Sequence, residues 1–518
     1  MKNKDALFQL IKSLSNNEKR YFTLFAARHI IGDKNNYLKL FEAIDKQKTY
    51  NEKKLAELFA HTPMGDNLRM NRHYLYKLIL KSMRLYRSET SIDTRLKGSL
   101  NDIEFLYEKG LYAQCDKILS KTKELAVKYE KYELLIEVLR WERNLLVMDS
   151  MVRDLRQKIE AIYEEQEAVL KKMQNIADYR RLADTLFSIT MLTERSRNEN
   201  ETRELDTMMS NRLLQDERYA LTNEAKWGFY YIHATFHDYA GNHLKSYPYH
   251  KQLVELIESS PWQIQEHTHV YILKLYNLGK ISCRLAMYGE LLPILKKMRN
   301  IPEKLGSKCS EGIKVKIFER SYLIELNMYM DTYSFEKAIS LISEIEKGME
   351  EFKGKIGKEY EVVFYLDLVY LYIIQQEYNK ALVWINKLIN DADTGARQDV
   401  YCIARILNLI IHYELGNEDV MEHLVKSTYS YLYKRNRLYK VETCILNFIR
   451  TKLLKVNPTR VRQIDAFKEL KTELEEIMRD PFEMKFLENF DLISWLESKI
   501  GNRPFAEVVR EKAELRTE

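Results

Sequence analysis

Proline is scarce in this chain, 8 in 518 residues with none between Pro63 and Pro248, and glycine at 16 is only twice as common. These are the residues that interrupt helices, so long helices joined by short turns are expected, and strand-and-turn architectures are not. The five cysteines (Cys115, Cys283, Cys309, Cys402 and Cys444) are scattered, with no CxxC pair and no partner at metal spacing. That leaves no framework for disulfides or zinc, and a reducing cytoplasm is the expected setting. No apolar run nears the roughly 18 uncharged residues of a membrane span, and the opening MKNKDALFQLIKSL lacks an apolar leader core. A cytoplasmic chain with no membrane partner is expected.

Catalytic signatures are missing too. There is no GxSxG, no glycine-rich phosphate loop and no GxGxxG. The one metal-like spacing, His233 and His237 four residues apart in HATFH, has no Glu beside the first His, so both are expected to be interior histidines. Glu164, Glu165 and Glu167 lie on a charged helix face without the apolar pocket that tunes an acid for catalysis. The expectation is a protein that is not an enzyme, with no catalytic, cofactor-binding or metal-binding residue.

Apolar side chains make up 45% of the chain, which excludes a disordered one. Their spacing is clearest from Glu361 to Asp391. Leu366, Val369, Leu371, Tyr372 and Ile373 share a helical face; after Gln376, Tyr378, Ala381, Leu382, Ile385 and Leu388 recur at three and four. This reads as a helix, a tight turn and a second helix.

The pair resembles the tetratricopeptide (TPR) repeat. Leu368 and Val369 stand at its Leu-Gly pair, Tyr372 at its first-helix Tyr, Ala381 at its small position and Ile385 at its aromatic one. A small residue there lets the two helices approach closely. No proline closes the repeat, and Val369 replaces glycine. Similar sets occur at Tyr322, Leu326, Tyr329, Phe335, Ala338 and Ile342; at Leu275, Leu278, Gly279 and Tyr288; at Tyr230, Ala234, Gly241 and Ser246; and at Leu106, Gly110, Tyr112 and Cys115. The resemblance implies an all-α fold: an α-solenoid of TPR-like helical hairpins over residues 98–460, preceded by a small basic helical unit at 1–90 and closed by an acidic helical cap at 461–518.

Charge is unevenly spread. Residues 1–100 carry a net +10 and residues 426–462 a net +9, while the stretches between and beyond are acidic. In the first basic segment Ser15 and Glu18 form a capping-box pattern, Gly32–Asn36 is a polar joint, and a loop from His61 to Asp66 leads into a helix ending near Arg87. On that helix Leu75, Leu78, Ile79, Leu85 and Tyr86 share one half; Arg69, Arg72, Lys77, Lys81, Arg84 and Arg87 share the other. In the second segment Lys434, Arg435, Arg437, Lys440, Arg450, Lys452 and Lys455 interleave with Tyr429, Tyr431, Tyr433 and Tyr439, a combination suited to phosphates and stacked bases. The plain alternative in both places is a solvated cationic face. Between them, Met151–Gln174 reads as a long helix rather than a coiled-coil arm, and Arg195–Thr202 as a loop.

The resemblance implies a binding protein. The expected function is a non-enzymatic cytoplasmic scaffold or adaptor that holds a peptide or partner protein on a TPR-like concave surface. The alternative is a nucleic-acid-associated regulator or ribosome-binding factor that uses the segments around 69–87 and 434–455. The layout is similar to that of bacterial regulators joining a DNA-binding helix-turn-helix to a peptide-sensing repeat domain, although no recognition-helix signature is present here.

Overall fold

A computed structural model of the chain describes residues 6–28, 36–62, 65–88, 91–148, 153–192, 199–306, 309–390, 397–453, 460–480, 483 and 490–517. Among them every regular element is a helix, and no helix is long and apolar enough to cross a membrane. Two compact units divide between Tyr271 and Ile272.

The first unit opens with α1 (Ala6–Ser13), α2 (Asn16–Arg28), α3 (Asn36–Asp45), α4 (Glu52–Phe59) and α5 (Leu68–Ser88). They enclose an apolar core of their own around Ile11, Phe22, Leu40, Ile44, Leu55, Leu75 and Ile79. The capping box ahead of α2 is formed: Ser15 N–H donates to Glu18 Oε2 at 2.8 Å, and Glu18 N–H donates to Ser15 Oγ at 3.3 Å. The polar joint at 32–36, except Asn36, lies outside the described residues, as does Pro63 of the following loop.

Next come α6 (Ile92–Glu108), α7 (Tyr112–Lys128), α8 (Tyr132–Met148), the 38-residue α9 (Leu155–Leu192), α10 (Glu199–Met209), α11 (Asn223–Tyr239), α12 (His243–Glu258) and α13 (Pro261–Glu266). The narrow apolar stripe of α9, through Ile162 and Val169 and on to Tyr179 and Leu186, is buried because α9 packs against α8 and α11. Gly228 permits that approach, since a Cβ there would lie 2.8 Å from Tyr179 Cβ. The loop expected at Arg195–Thr202 is corrected in part: residues 199–202 already belong to α10, and 195–198 lie outside the described residues. Glu199, Glu201 and Glu204 suit a helix's first turns, and that preference outweighs the local polarity.

The second unit takes in α14 (Thr268–Arg284) from Ile272 onward, then α15 (Leu291–Arg299), α16 (Ile301–Leu305), α17 (Glu311–Asp331), α18 (Phe335–Ser340), α19 (Ile342–Glu351), α20 (Lys358–Ile374), α21 (Tyr378–Ile389), α22 (Gln398–Glu414), α23 (Glu418–Lys434), α24 (Lys440–Phe448), α25 (Arg460–Ile477), α26 (Leu492–Gly501) and α27 (Phe505–Thr517). A single apolar core runs from Val315 to Val509 and includes Leu470, Leu474, Phe490, Ile493 and Leu496 from the acidic tail.

Helix pairs in both units turn in one way. After α6, α11, α14, α17, α20 and α22 one residue is left-handed: Gly110, Gly241, Ala286, Tyr333, Gln376 and Gly416, with φ between 52° and 72°. The next N–H then bonds to the carbonyl five residues back, as in Leu111 to Leu106 at 3.0 Å and Glu377 to Tyr372 at 2.9 Å. This is the Schellman cap, which satisfies carbonyls that the helix end leaves open. In the second unit the turns recur at intervals of 47, 43 and 40 residues. Five residues beyond each left-handed residue stands a side chain at most 2% exposed: Cys115, Ser246, Leu291, Ala338, Ala381 and Met421. Seven residues before it, Ile103, Ala234, Gly279, Leu326, Val369 and Leu409 are buried as well. The turn thus fixes which residues of the two helices meet.

Candidate interaction site

Among the first helices of the hairpins in the second unit, α20 is apolar almost all round. In α20, Val362, Phe364, Leu366, Leu368, Val369 and Leu371 through Ile374 are all buried. Polar groups embedded in such helices have few neighbours to satisfy them, so their arrangement is informative. Asp367 is the sole charge between Glu361 and Glu377, and Lys274 the sole charge between Glu266 and Lys280.

Other polar groups of these helices cluster around two tyrosines. Tyr276 of α14 and Tyr360 of α20 meet edge to face, ring centres 6.4 Å apart, and the Arg320 guanidinium of α17 lies 5.8 Å from the first ring and 5.4 Å from the second. Each contact is attractive, the cation meeting the negative ring face. Beside Arg320, Glu319 is fully buried and well satisfied: Gly357 N–H donates to its Oε1 at 2.7 Å, and Lys316 Nζ lies 3.1 Å from its Oε2. Arg397, left-handed at the start of α22, clamps Asp399 through Nε at 3.0 Å and Nη2 at 2.8 Å.

Two polar atoms on α17 and α20 are not satisfied. Asp367 Oδ2 and Arg320 Nε are buried with no hydrogen-bond partner among the described residues. Burial raises the Asp367 carboxyl to about 7, the charge of Arg397 offsetting only part of the effect. Burial likewise lowers Lys274 to about 8 and raises Tyr276 to about 12. Yet Asp367, Lys274 and Tyr276 all keep some solvent exposure. Chemically, an unpaired carboxylate oxygen accepts and an unpaired guanidinium N–H donates, the complements of a backbone N–H and C=O.

The basic helix divides on inspection. Arg69, Lys77, Lys81 and Arg84 are exposed, but Arg72 turns inward, its Nη1 3.0 Å from Glu52 and its guanidinium 5.2 Å from the Tyr50 ring. The wheel that grouped six cations could not show α4 supplying a carboxylate on that side. Leu85, grouped with Leu75 and Ile79 on the wheel's apolar half, is 46% exposed and joins Met70 and Tyr74 on the outer face. Arg87 is within α5, its side chain outside the described residues.

In the second basic segment Lys434 and Lys440 are exposed, and Arg435 and Arg437 half-buried, in the joint between α23 and α24. Arg435 stacks on Tyr431 at 3.8 Å; Arg405 of α22 stacks on the same ring at 3.9 Å. Tyr429 and Tyr433 point outward, their rings parallel within 6° and 6.1 Å apart. Lys452 pairs with Glu469 at 2.9 Å, Arg450 bonds Asn447 at 3.3 Å, and Lys455 lies outside the described residues.

His233 is buried, its Nε2 donating to the Leu214 carbonyl at 3.0 Å while its ring stacks on Tyr249. His237 stacks on the same tyrosine, so both imidazoles have structural contacts. Sequence reasoning missed Asp367, Arg320, Tyr276, Tyr360, Arg397 and Arg405. The signal that marks Asp367, as it marks Lys274 and Arg405, is a lone charge at the middle of an otherwise apolar helix.

No protein-family model matches the chain, and no curated protein is similar enough to it to count as a relative.

Proposed function

We propose that the chain is a non-enzymatic cytoplasmic scaffold in which TPR-like hairpins form a solenoid. On this reading α14, α17, α20 and α22 line its concave face, which holds an extended peptide of a partner protein. The observation that carries it is a pair of unsatisfied buried groups on these helices, Asp367 Oδ2 of α20 and Arg320 Nε of α17, the latter held against the rings of Tyr276 and Tyr360. A peptide backbone presents both a donor and an acceptor, and tyrosine rings add contact area at small entropic cost. The group that acts on Asp367 is the Arg397 cation, and the groups around Arg320 are rings, rather than a nucleophile with its base, which supports binding over turnover.

The test is selection of peptides from a random library on the immobilised full chain, followed by anisotropy titration. Asp367→Asn and Arg320→Gln are each expected to weaken a selected peptide about tenfold or more, the scale of a lost buried hydrogen bond. Reversing Lys77, Lys81 and Arg84 to Glu is expected to leave it unchanged. Loss on that reversal with full binding by the two site variants would refute the reading.

A second reading has its own observation: Lys77, Lys81 and Arg84 lie exposed with Met70, Tyr74 and Leu85 on the outer face of α5. Such a face suits a nucleic-acid-associated regulator or ribosome-binding factor. Its mark is salt. Neutralising six or more phosphates costs about 10³-fold in affinity between roughly 50 and 200 mM salt, whereas a peptide held by hydrogen bonds and rings changes little.

A further inference from the structure

We infer that α7, α8 and α9 of the first unit form a docking groove for an amphipathic helix of a partner protein, one whose apolar stripe is bordered by a basic edge and an acidic edge. The three helices surround a cavity of about 780 Å³. Leu119 of α7 and Ile162 of α9, both buried, and Leu145 and Leu146 of α8, half-buried, give it an apolar floor. Ala113 of α7 and Ala161 of α9 line it as well and are exposed, and their small side chains leave it open to solvent.

One end is closed. Lys123 Nζ of α7 donates to Glu142 Oε2 of α8 and to Glu165 Oε2 of α9, each at 2.7 Å, and so ties the three helices together. At the other end Tyr112 and Met148 line the same space and are exposed. Between Tyr112 and Lys123 α7 rises about 17 Å, or about three turns of a helix, so the groove is long enough for residues recurring at three and four on an occupant.

The floor decides what can lie there. Leu119, Leu145, Leu146 and Ile162 carry no side-chain donor or acceptor, so an extended chain pressed against them would leave its own amides unpaired. A helix satisfies its backbone internally and needs only apolar side chains to meet them.

Charge decides the edges. Among the described residues, neither Asp116 on the α7 side nor Lys158 on the α9 side has an ion-pair partner. A helix seated between them turns one edge to each, and a basic residue toward Asp116 with an acidic one toward Lys158 complements both, as the residues flanking a coiled-coil seam do. All of these residues belong to the first unit, so the groove stands or falls separately from the peptide reading at Asp367 and Arg320.

Anisotropy titrations of the full chain with amphipathic peptides of about three heptads, each with Leu along one stripe, test the groove. Three patterns are compared: one basic and one acidic edge, two basic edges, and two acidic edges. The mixed peptide is expected to bind saturably and about threefold or more tighter than the other two, the scale of exposed charge pairs. Asp116→Lys is expected to move the preference to the peptide with two acidic edges, and Lys158→Glu to the one with two basic edges. Ala161→Gln exchanges one good helix former for another at an exposed position, so the fold is kept while the longer side chain fills the groove, and every peptide is expected to weaken about tenfold or more. No saturable binding by any of the three, binding indifferent to Ala161→Gln, or a preference that the two reversals leave in place would overturn the assignment. So would a dimer of the chain that Ala161→Gln dissociates in sedimentation, since the groove would then hold a second copy.

Discussion

Asp367→Asn is expected to make the folded chain more stable by about 2–4 kcal/mol above neutral pH, the scale of a carboxyl shifted about three pH units, while weakening peptide binding. The carboxyl titrates at about 7 in the fold against an ordinary value of 3.8, because burial disfavours its charge. Between those values the folded chain keeps a proton that the unfolded chain has released. Stability from this group is therefore full below about pH 4, falls as the pH rises to about 7, and stays low above. Asparagine keeps the shape and cannot ionise. Denaturant titrations of both proteins across that range should show the gap opening from near zero and levelling off above neutrality. A gap independent of pH, or a less stable variant, would mean that Asp367 is satisfied in solution. A buried acid that lowers stability and has no internal partner is the kind of cost that a binding surface explains.

The neighbouring carboxylate is expected to behave in the opposite way. Glu319→Ala should destabilise the fold by about 2–4 kcal/mol, because a buried, fully bonded carboxylate leaves its partners stranded when it goes. Gly357 N–H would lose its 2.7 Å acceptor at the start of α20, and Lys316 its partner at 3.1 Å. The upper end of the usual range is not expected, since the Lys316 side chain is 40% exposed and can return to water. Thermal melts of Glu319→Ala and Glu319→Gln separate the two effects, for glutamine keeps the acceptor and loses only the charge. An unchanged melting temperature for the alanine variant would mean that Gly357 N–H and Lys316 are satisfied without Glu319.

Much of the helical organisation was legible in the residues. Tyr372, Ala381 and Ile385 marked one hairpin, and Ala338, Ser246 and Cys115 marked others, because close helix packing demands small side chains at fixed distances from a turn. The turns themselves were only half visible: Gly110, Gly241 and Gly416 announce a left-handed residue, but Ala286, Tyr333 and Gln376 adopt it under the pull of the packed helices. Which polar groups meet was not legible at all. Tyr276, Arg320 and Tyr360 come from three helices far apart in sequence, and their contact exists only once the hairpins pack. Arg72 teaches the same lesson in reverse, since Glu52 lies 20 residues away in sequence and takes it out of the cationic face.

The central claim is that the chain works by holding a protein partner on the face around Asp367. The most direct measurement is a native pull-down of the tagged full chain from its own cells, with and without nuclease, run beside the Asp367→Asn, Arg320→Gln double variant. The account predicts one partner protein in stoichiometric amount, indifferent to nuclease and lost from the double variant. Nucleic acid in the untreated eluate, with ribosomal or chromosomal proteins that disappear after nuclease and persist with the double variant, would contradict it and move the function to the cationic faces.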